Sequence, residues 1–188
     1  PQHLNLVICA IISNGHILLE DVPGVGKTSL VKLMAKLFNL EINRVQFTND
    51  LLPCDIIGTN IFDKETASFV FHKGPVFTQI LLADELNRAS SRTQSALLQA
   101  MQEREISLDG QTNKLDELFL VMGTQNPREQ IGTNFLPESQ LDRFFLKLSL
   151  GFASKEYELE LLKGEDRKIL IEQYYSKLNK QHLLEMKK

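Results

Sequence analysis

Apolar runs and helical patterns alternate through the first half of the chain. Short apolar runs at His16–Glu20 and Ile42–Phe47 are typical of strands. Between them, apolar residues recur at three- and four-residue spacing, which predicts a helix with one apolar face. That face consists of Leu30, Val31, Leu33, Met34, Leu37 and Phe38. Strands that alternate with helices favour βαβ units, and so an α/β fold with a central parallel sheet between helices.

The alternation continues further along the chain. Apolar runs predict three more strands, at Gln79–Ala83, Leu118–Met122 and Phe145–Leu150. Ser90 or Ser91 is placed to cap the helix that follows the first of these strands. We expect the three strands to join the same parallel sheet.

Two segments depart from this rhythm and are typical of small hairpins. In Ile61–Phe71, the apolar pair Ile61–Phe62 and the apolar run Phe69–Phe71 lie on either side of the polar corner Lys64–Thr66. This segment follows a short helix predicted at Leu51–Ile57. A second hairpin is predicted around Asp109 and Gly110, a pair that suits a tight turn. We therefore expect two hairpin insertions in the α/β core.

The beginning of the sequence is apolar. Leu4–Ile12 is too short to span a bilayer and lacks a basic leader, so we interpret it as a buried helix. The chain starts at Pro1 without an initiator methionine, which suggests an excerpt from a longer protein.

The end of the sequence is charged. After Gly151, Ser154 is followed by Glu156 and Glu158, a pattern typical of a helix start. The terminal run Lys177–Lys188 is most simply interpreted as a solvated helix. We place the end of the core near Gly151 to Gly164, and divide the chain into residues 1–152 as the core and 153–188 as a following segment.

Composition and charge limit the classes of function. The chain has 188 residues and is 43% hydrophobic, enough to bury a core. Lysine and arginine number 21 against 24 acidic residues, so charge gives no reason to expect a nucleic acid or an anionic membrane as partner. Cys9 and Cys54 lie far apart, which argues against a disulfide framework or a zinc site and fits a reducing cytoplasm.

A glycine-rich segment follows the first strand and opens a helix. Gly24 and Gly26 free consecutive backbone N–H groups at the helix mouth, where the helix dipole favours a phosphate. Lys27 can reach the β- and γ-phosphates of a nucleotide, and the Thr28 hydroxyl can ligate Mg²⁺. The candidate nucleotide-binding residues are Asp21, Val22, Pro23, Gly24, Val25, Gly26, Lys27, Thr28 and Ser29.

One residue of this phosphate loop departs from the general pattern. The pattern GxxxxGK[S/T] has glycine where this chain has Asp21. A carboxylate near a triphosphate is repelled by it unless the side chain points away. The sequence alone leaves the direction of this side chain open.

Two adjacent acids, Asp84 and Glu85, end the strand at Gln79–Ala83. A phosphoryl-transfer site needs one carboxylate for the Mg²⁺ shell and another to orient or deprotonate water. The alternative is a solvated strand end, and the preceding phosphate loop favours the catalytic interpretation.

Two further residues are candidates for catalysis. Asn126 ends the strand at Leu118–Met122, where it can hydrogen-bond water and a γ-phosphate, although Asn before Pro also suits an ordinary turn. Arg143 follows a short predicted helix and can act on a neighbouring subunit's nucleotide, but a surface ion pair with Asp142 or Glu138 is the commoner arrangement. Sequence physics leaves both alternatives open.

These motifs together resemble a known family. The segment His16–Thr28 is similar to the Walker A segment of MoxR-type AAA+ ATPases, whose loop often carries Asp at the place of Asp21. Four more ordered blocks resemble the family: Gln46–Pro53, Leu81–Ala89, Gly123–Pro127 and Leu136–Phe144. The likeness covers roughly Leu4–Phe152, and Asn49 and Leu86 depart from the usual proline and isoleucine.

The resemblance implies a fold and roles for the candidate residues. It implies a P-loop NTPase three-layer sandwich, the AAA+ core, followed by the start of a helical lid over 153–188. Asp84 and Glu85 become the Walker B pair, Asn126 the sensor 1 residue and Arg143 the arginine-finger candidate. The hairpin at Ile61–Phe71 becomes the helix-2 insert. A sensor 2 arginine is expected beyond the last residue, so weak activity is expected of this segment alone.

The function implied by the resemblance is Mg²⁺-dependent ATP hydrolysis in a cytoplasmic ring, expected to be hexameric, that remodels or activates partner proteins. Partners with von Willebrand factor A domains are expected from such relatives, sometimes in metal-cofactor insertion. Two alternatives stay open: a nucleic-acid motor or magnesium-chelatase-like subunit, and a nucleotide-gated scaffold that hardly hydrolyses ATP. The acidic balance argues weakly against the first, and the intact pair Asp84 and Glu85 argues against the second.

Overall fold

A five-stranded sheet forms the centre of the structure, a computed structural model that describes residues 2–22, 24–127, 132–151, 176 and 178–187. In chain order the elements are α1 (Gln2–Ile12), β1 (Ile17–Glu20), α2 (Lys27–Leu37), β2 (Ile42–Gln46), α3 (Pro53–Ile57), β3 (Gly58–Asp63), β4 (Ser68–Lys73), β5 (Ile80–Asp84), a 3₁₀ turn (Leu86–Arg88), α4 (Ser91–Glu103), β6 (Glu105–Leu108), β7 (Gln111–Lys114), β8 (Leu120–Gln125), α5 (Glu138–Leu141), β9 (Leu146–Leu148) and α6 (Lys180–Met186).

The sheet has the strand order β2-β5-β8-β1-β9, and every neighbouring pair is parallel. Central parallel strands are buried on both faces, which explains the continuous apolar runs of β1 and β5, whereas the edge strands β2 and β9 are only partly buried. The predicted α/β fold with a central parallel sheet is confirmed.

Alternate residues of each strand belong to two separate cores. In β1, Ile17 and Leu19 pack with α1, α2 and α6 on one side of the sheet. Leu18, between them, faces the other side, where α4 contributes Leu97 and Met101. Successive strand side chains point to opposite faces, so one sheet supports both cores. The molecule is therefore the predicted three-layer sandwich.

Both predicted hairpins are present as separate two-stranded antiparallel ribbons. β3 pairs with β4 from Gly58 to Asp63, and β6 pairs with β7 across Asp109 and Gly110. The Asn60 amide of the first hairpin donates a hydrogen bond to the Asp109 carboxylate of the second, at 2.6 Å. The two insertions thus lie against each other.

Three predicted boundaries or surfaces differ from the structure. β8 does not end at Met122 but continues to Gln125, because it keeps pairing with β1 up to Glu20. β9 is only three residues long and stops at Leu148. The terminal helix α6 is not simply solvated, since Leu183 is 1% exposed and packs into the core beneath α1.

Some predictions lie outside the described residues. The helix start at Ser154, Glu156 and Glu158 and the boundary between residues 152 and 153 are among them.

Cys9 and Cys54 are both exposed and free. No helix in the described part of the chain is long and apolar enough to cross a membrane.

Candidate nucleotide site

The phosphate loop lies between β1 and α2, and two of its residues have conformations that favour glycine. Gly24 and Gly26 have φ angles of 90° and 91°. A Cβ at either position would meet nothing within 4 Å, so the backbone angle rather than space requires glycine there. Gly26 is the N-cap of α2, whose first residue is Lys27. The loop therefore directs the free N–H groups of a helix N-terminus at one point, the arrangement that binds anions.

Lys27 is held at this helix mouth by the loop itself. Its Nζ donates a hydrogen bond to the main-chain oxygen of Asp21 at 2.7 Å. Burial lowers the pKa of Lys27, and the negative charges of Asp21, Asp84 and Glu85 oppose that shift. A partly desolvated cation beside the helix N-terminus has a strengthened attraction for phosphate.

Asp84 ends β5, and Glu85 follows it with an unusual backbone conformation. Glu85 has φ 56° and ψ 45°, the left-handed region that a non-glycine residue seldom adopts. Its N–H donates to the Thr124 hydroxyl at 2.9 Å, and that hydroxyl donates to Asp84 Oδ1 at 2.6 Å. Thr124 is fully buried. One hydroxyl on β8 thus fixes both the carboxylate that ends β5 and the turn that presents Glu85.

Side chains from β2 and from the turn after β5 hold the two carboxylates. Arg44 Nη2 lies 2.7 Å from Asp84 Oδ2, and Gln46 Nε2 donates to Glu85 Oε2 at 2.7 Å. Arg88 Nη1 lies 2.9 Å from the same Glu85 oxygen. Both acids are therefore oriented by neighbours, with Arg44 half-exposed at the edge of the sheet.

Asn126 follows β8 directly, and a buried amide holds its main chain. Asn87 Nδ2 donates to the Asn126 carbonyl at 3.4 Å, and Asn87 is 1% exposed. The Asn87 carbonyl in turn accepts from the Asn134 N–H at 2.6 Å. These contacts tie Asn126 to the turn that carries Glu85.

A cavity of about 320 Å³ brings most of the predicted site residues together. Its lining consists of Gly24, Gly26, Lys27, Thr28, Ser29, Asp84, Glu85 and Asn126. Among the described residues, Asp21, Val22 and Val25 are not part of this lining, and Pro23 is not described. The phosphate loop, the two acids and the polar residue after β8 therefore meet in one cleft at the carboxyl ends of the strands.

Oxygen donors in this cavity fit a magnesium ion. The Thr28 hydroxyl and the Asp84 carboxylate both belong to the lining. Mg²⁺ prefers oxygen ligands, keeps several waters and is usually bound through one or two carboxylates with nucleotide phosphates. The donor set suits Mg²⁺ bound together with a nucleotide.

Asp21 is nearly buried and its side chain points away from the cavity, toward β9. Its carboxylate accepts hydrogen bonds from Ser149 Oγ at 2.9 Å, from the Leu150 N–H and from the Gly151 N–H at 3.4 Å. The departure from the general loop pattern therefore adds no carboxylate to the phosphate cavity.

Arg143 lies outside this cavity. Its guanidinium donates to Gln102 Oε1 at 3.2 Å and to the Ser139 carbonyl at 3.0 Å. Within the described residues, Arg143 has no ion pair with Asp142 or Glu138. It lines a separate groove of about 270 Å³ between α4 and α5, which shares no residue with the phosphate cavity.

Comparison with known proteins places the chain in a family. Residues 16–146 match the model of the ATPase family associated with various cellular activities (AAA). This chain belongs to the AAA ATPases. The matched range includes the phosphate loop, both acids, Asn126 and Arg143, so the site described above belongs to the family domain.

Curated relatives narrow the family to the MoxR type. This chain is 47% identical over 161 residues to "Chaperone MoxR1" of Mycobacterium tuberculosis. The aligned residues cover 86% of this chain and 43% of the relative. This chain is also 48% identical over 167 residues to YeaC of Bacillus subtilis, which covers 89% of this chain and 52% of the relative. The chain thus spans about half the length of these relatives, and it is a MoxR-type AAA+ sequence.

A crystal structure supports the same assignment. The structure of a "putative ATPase" from Cytophaga hutchinsonii matches with a TM-score of 0.86 at 44% sequence identity. The match covers 99% of this chain and 56% of that protein. The predicted family is therefore confirmed at the level of both sequence and fold.

The predicted site residues of this MoxR-type chain do not include four residues that touch the acids, one of which is Arg88 in the turn after β5. Arg44 and Gln46 contact Asp84 and Glu85 from β2, and Thr124 bridges the two acids from β8. A polar residue inside a buried strand is a signal that could have drawn attention to Thr124. The two β2 residues carry no comparable signal, because their role depends on β2 lying next to β5.

Proposed function

We propose that this MoxR-type AAA+ domain binds and hydrolyses ATP at the cavity beside the phosphate loop. The observation that carries the proposal is that Lys27, Asp84, Glu85 and Asn126 line one cavity at the mouth of α2. Phosphoryl transfer depends mainly on positioning and on charge stabilisation. A cation, two carboxylates and a polar amide around one anion site are the groups that this chemistry uses.

Mg²⁺ belongs to this proposal as a cofactor. Thr28 and Asp84 would hold it, and when bound it supplies positive charge for the β- and γ-phosphates. Lys27 binds the same phosphates as a second positive charge. The main-chain N–H groups of the loop orient the nucleotide, with Gly24 and Gly26 allowing close approach.

Glu85 is the proposed base, and its contacts suit that role. Gln46 and Arg88 hold one carboxylate oxygen, Oε2. The other oxygen is the one we assign to the attacking water, whose proton Glu85 accepts as the water attacks the γ-phosphate in line. Asn126, which lines the same cavity, orients that water and the γ-phosphate.

Arg143 completes the proposed site from a neighbouring subunit. It lines a different groove from its own Lys27 and Glu85, which fits action on another subunit's nucleotide. A guanidinium supplied in trans neutralises transition-state charge and is worth about 10³ to 10⁵ in rate. We therefore propose a cytoplasmic ring, hexameric by family resemblance, with a helical lid following the core.

The biological role that we propose is the remodelling or activation of partner proteins. It rests on the relative named "Chaperone MoxR1" and on the family resemblance. Partners with von Willebrand factor A domains belong to the same proposal.

Replacement of the proposed base tests the chemistry. In the full-length protein, Glu85→Gln should reduce ATP turnover at least about 100-fold, because general-base catalysis is worth about 10² to 10⁴ in rate. ATP binding, measured by calorimetry, should remain, because the phosphate loop is untouched. Glu41→Gln is the matched control and should leave turnover unchanged, because Glu41 is an exposed acid just before β2, at the amino end of the strand and outside the cavity lining. Wild-type turnover in Glu85→Gln would refute the assignment of the base.

A further inference from the structure

Asp21 joins two parts of the molecule that are distant in sequence. It follows β1 and is 7% exposed. Its main chain belongs to the phosphate loop, since its carbonyl accepts from Lys27 Nζ at 2.7 Å. Its carboxylate belongs to the other end of the core, where it accepts from the Ser149 hydroxyl and from the N–H groups of Leu150 and Gly151.

The Asp21 carboxylate accepts main-chain hydrogen bonds just beyond the point where β1 and β9 stop pairing. β1 and β9 pair in parallel as far as Leu19 and Leu148. Beyond that point, the N–H groups of Leu150 and Gly151 no longer have a strand to donate to, and the Asp21 carboxylate accepts both. Buried or half-buried main-chain donors need an acceptor. The glycine of the general loop pattern has no side chain to provide one.

The same residue acts on the cation of the loop. Among the charges that oppose the lowering of the Lys27 pKa, Asp21 has the largest effect. Lys27 also lines the phosphate cavity. Lys27 therefore connects the phosphate cavity to the Asp21 peptide, whose side chain carries the carboxylate on the far side.

We propose that Asp21 is a positioning residue that couples occupancy of the phosphate loop to the segment Ser149–Gly151, where the chain leaves the sheet. The coupling rests on the proposed nucleotide binding. The coupling gives Asp21 a function that the glycine of the general loop pattern does not have. The order of Ser149–Gly151 then depends on whether phosphate is bound at a loop more than 120 residues away in sequence.

Amide hydrogen exchange measures this coupling directly. Leu150 and Gly151 are half-buried or exposed, so their protection depends mainly on the hydrogen bonds to Asp21. In the wild-type full-length protein, saturating Mg²⁺–ADP should slow exchange at these two amides by at least about threefold, because binding stabilises the structure that it contacts. In Asp21→Ala both amides should exchange fast and respond to ADP less than about 1.5-fold.

Three variants make the result specific. Asp21→Asn keeps the size of the side chain but replaces one of the two acceptor oxygens by a donor, so at least one of the two amides should lose its acceptor and its response to ADP even if Asp21→Ala folds poorly. Ser149→Ala removes only the hydroxyl donor and should keep most of the response. Lys147→Ala, which breaks the neighbouring ion pair with Glu20 and touches none of the Asp21 contacts, should respond as the wild type does.

Calorimetry with Mg²⁺–ADP separates this proposal from the proposed function. The dissociation constant of Asp21→Asn is measured first, so that exchange is compared at saturating Mg²⁺–ADP. In Lys147→Ala, whose side chain is not part of the phosphate cavity, the dissociation constant should stay within about threefold of wild type, or about 0.7 kcal/mol. Failure of the wild type to bind any nucleotide would overturn the proposed function. Normal binding with an unchanged exchange response in both Asp21 variants would overturn the coupling alone.

Discussion

His16 is a buried polar side chain whose two ring nitrogens are both used for structure. The Val121 N–H donates to Nδ1 at 3.0 Å, and Nε2 lies 3.2 Å from the Met101 carbonyl. These partners define a neutral ring with its proton on Nε2. Burial lowers the pKa of His16 to about 4, and the charge of Arg104 adds to the lowering although the Met101 bond opposes it. The ring thus joins β8 to α4 only while it is neutral.

This geometry predicts an acid-sensitive stability. The unfolded chain binds a proton on His16 below pH 6.5, whereas the folded chain binds it only near pH 4. The contribution of His16 is therefore complete above pH 6.5 and is lost as the pH falls toward 4. Between pH 7.5 and pH 5 the free energy of unfolding should fall by about 2 kcal/mol through this group.

Urea unfolding of wild type and His16→Gln at the two pH values measures the effect. The variant has no titrating ring at this position. Between the two pH values it should therefore lose about 2 kcal/mol less of its free energy of unfolding than the wild type loses. An equal loss in both proteins would show that other groups cause the acid sensitivity.

At the level of single residues, the sequence predicts the chemistry that is local. The structure places Lys27 and Thr28 in one cavity with Gly24 and Gly26, because a phosphate loop is built within a few residues. The direction of Asp21 was not predictable, because Ser149–Gly151 determines it from more than 120 residues away. The functional roles of these residues stay predictions.

At the level of elements, the base of the hairpin β3–β4 is packed too closely for a side chain at Gly74. A Cβ on Gly74 would lie 2.3 Å from the Ile56 carbonyl oxygen and 2.5 Å from the Gly58 nitrogen. Both are main-chain atoms, so the clash is not relieved by the movement of a side chain. The base of this hairpin therefore needs glycine for space. Gly110 in the hairpin β6–β7 has φ +78° but open space around its Cβ position, and so needs glycine only for its backbone angle.

The two glycines predict different costs for the same substitution. Gly74→Ala should lower the free energy of unfolding by about 3 kcal/mol or more, since overpacking against a fixed backbone costs about 1 to 3 kcal/mol and two contacts are affected here. Gly110→Ala should cost only about 1 kcal/mol, the strain of a left-handed alanine. Urea midpoints of the two variants compare these costs. Equal destabilisation would show that steric space at the base of β3–β4 is not limiting.

The elements also show what periodicity can and cannot predict. All five strands of the sheet and both hairpins were predicted, because buried parallel strands and tight turns have strong local patterns. The order β2-β5-β8-β1-β9 was not, because it depends on which strands pair. That order places Arg44 and Gln46 beside the two acids. For the same reason, the sequence did not reveal that Leu183 of α6 fills the core beneath α1.

At the level of the whole molecule, the two halves of the proposed catalytic machinery lie on separate surfaces. Glu85 lines the phosphate cavity, and Arg143 lines the groove between α4 and α5. If Arg143 acts on its own nucleotide, the two must meet within one subunit. If it acts in trans, every functional site needs Glu85 from one subunit and Arg143 from the next.

Mixing two inactive variants distinguishes these cases. In full-length protein, Glu85→Gln and Arg143→Ala should each turn over ATP at least about 100-fold more slowly than wild type. In a head-to-tail ring, a site of the Arg143→Ala subunit has an intact Glu85 and can receive Arg143 from a Glu85→Gln neighbour. With equal, random mixing, roughly a quarter of the sites have this combination, so roughly a quarter of wild-type turnover should return.

The control for this experiment is a mixture in which no subunit supplies the Glu85 carboxylate. Glu85→Gln mixed with the double variant Glu85→Gln/Arg143→Ala has no intact Glu85 and should stay inactive at every ratio. Recovery in the first mixture but not in the second requires that the two residues come from different subunits, whatever the ring size. Absence of recovery, with co-assembly shown by sedimentation, would show that Arg143 does not act in trans. An inactive Arg143→Ala protein would then indicate a role of Arg143 within its own subunit.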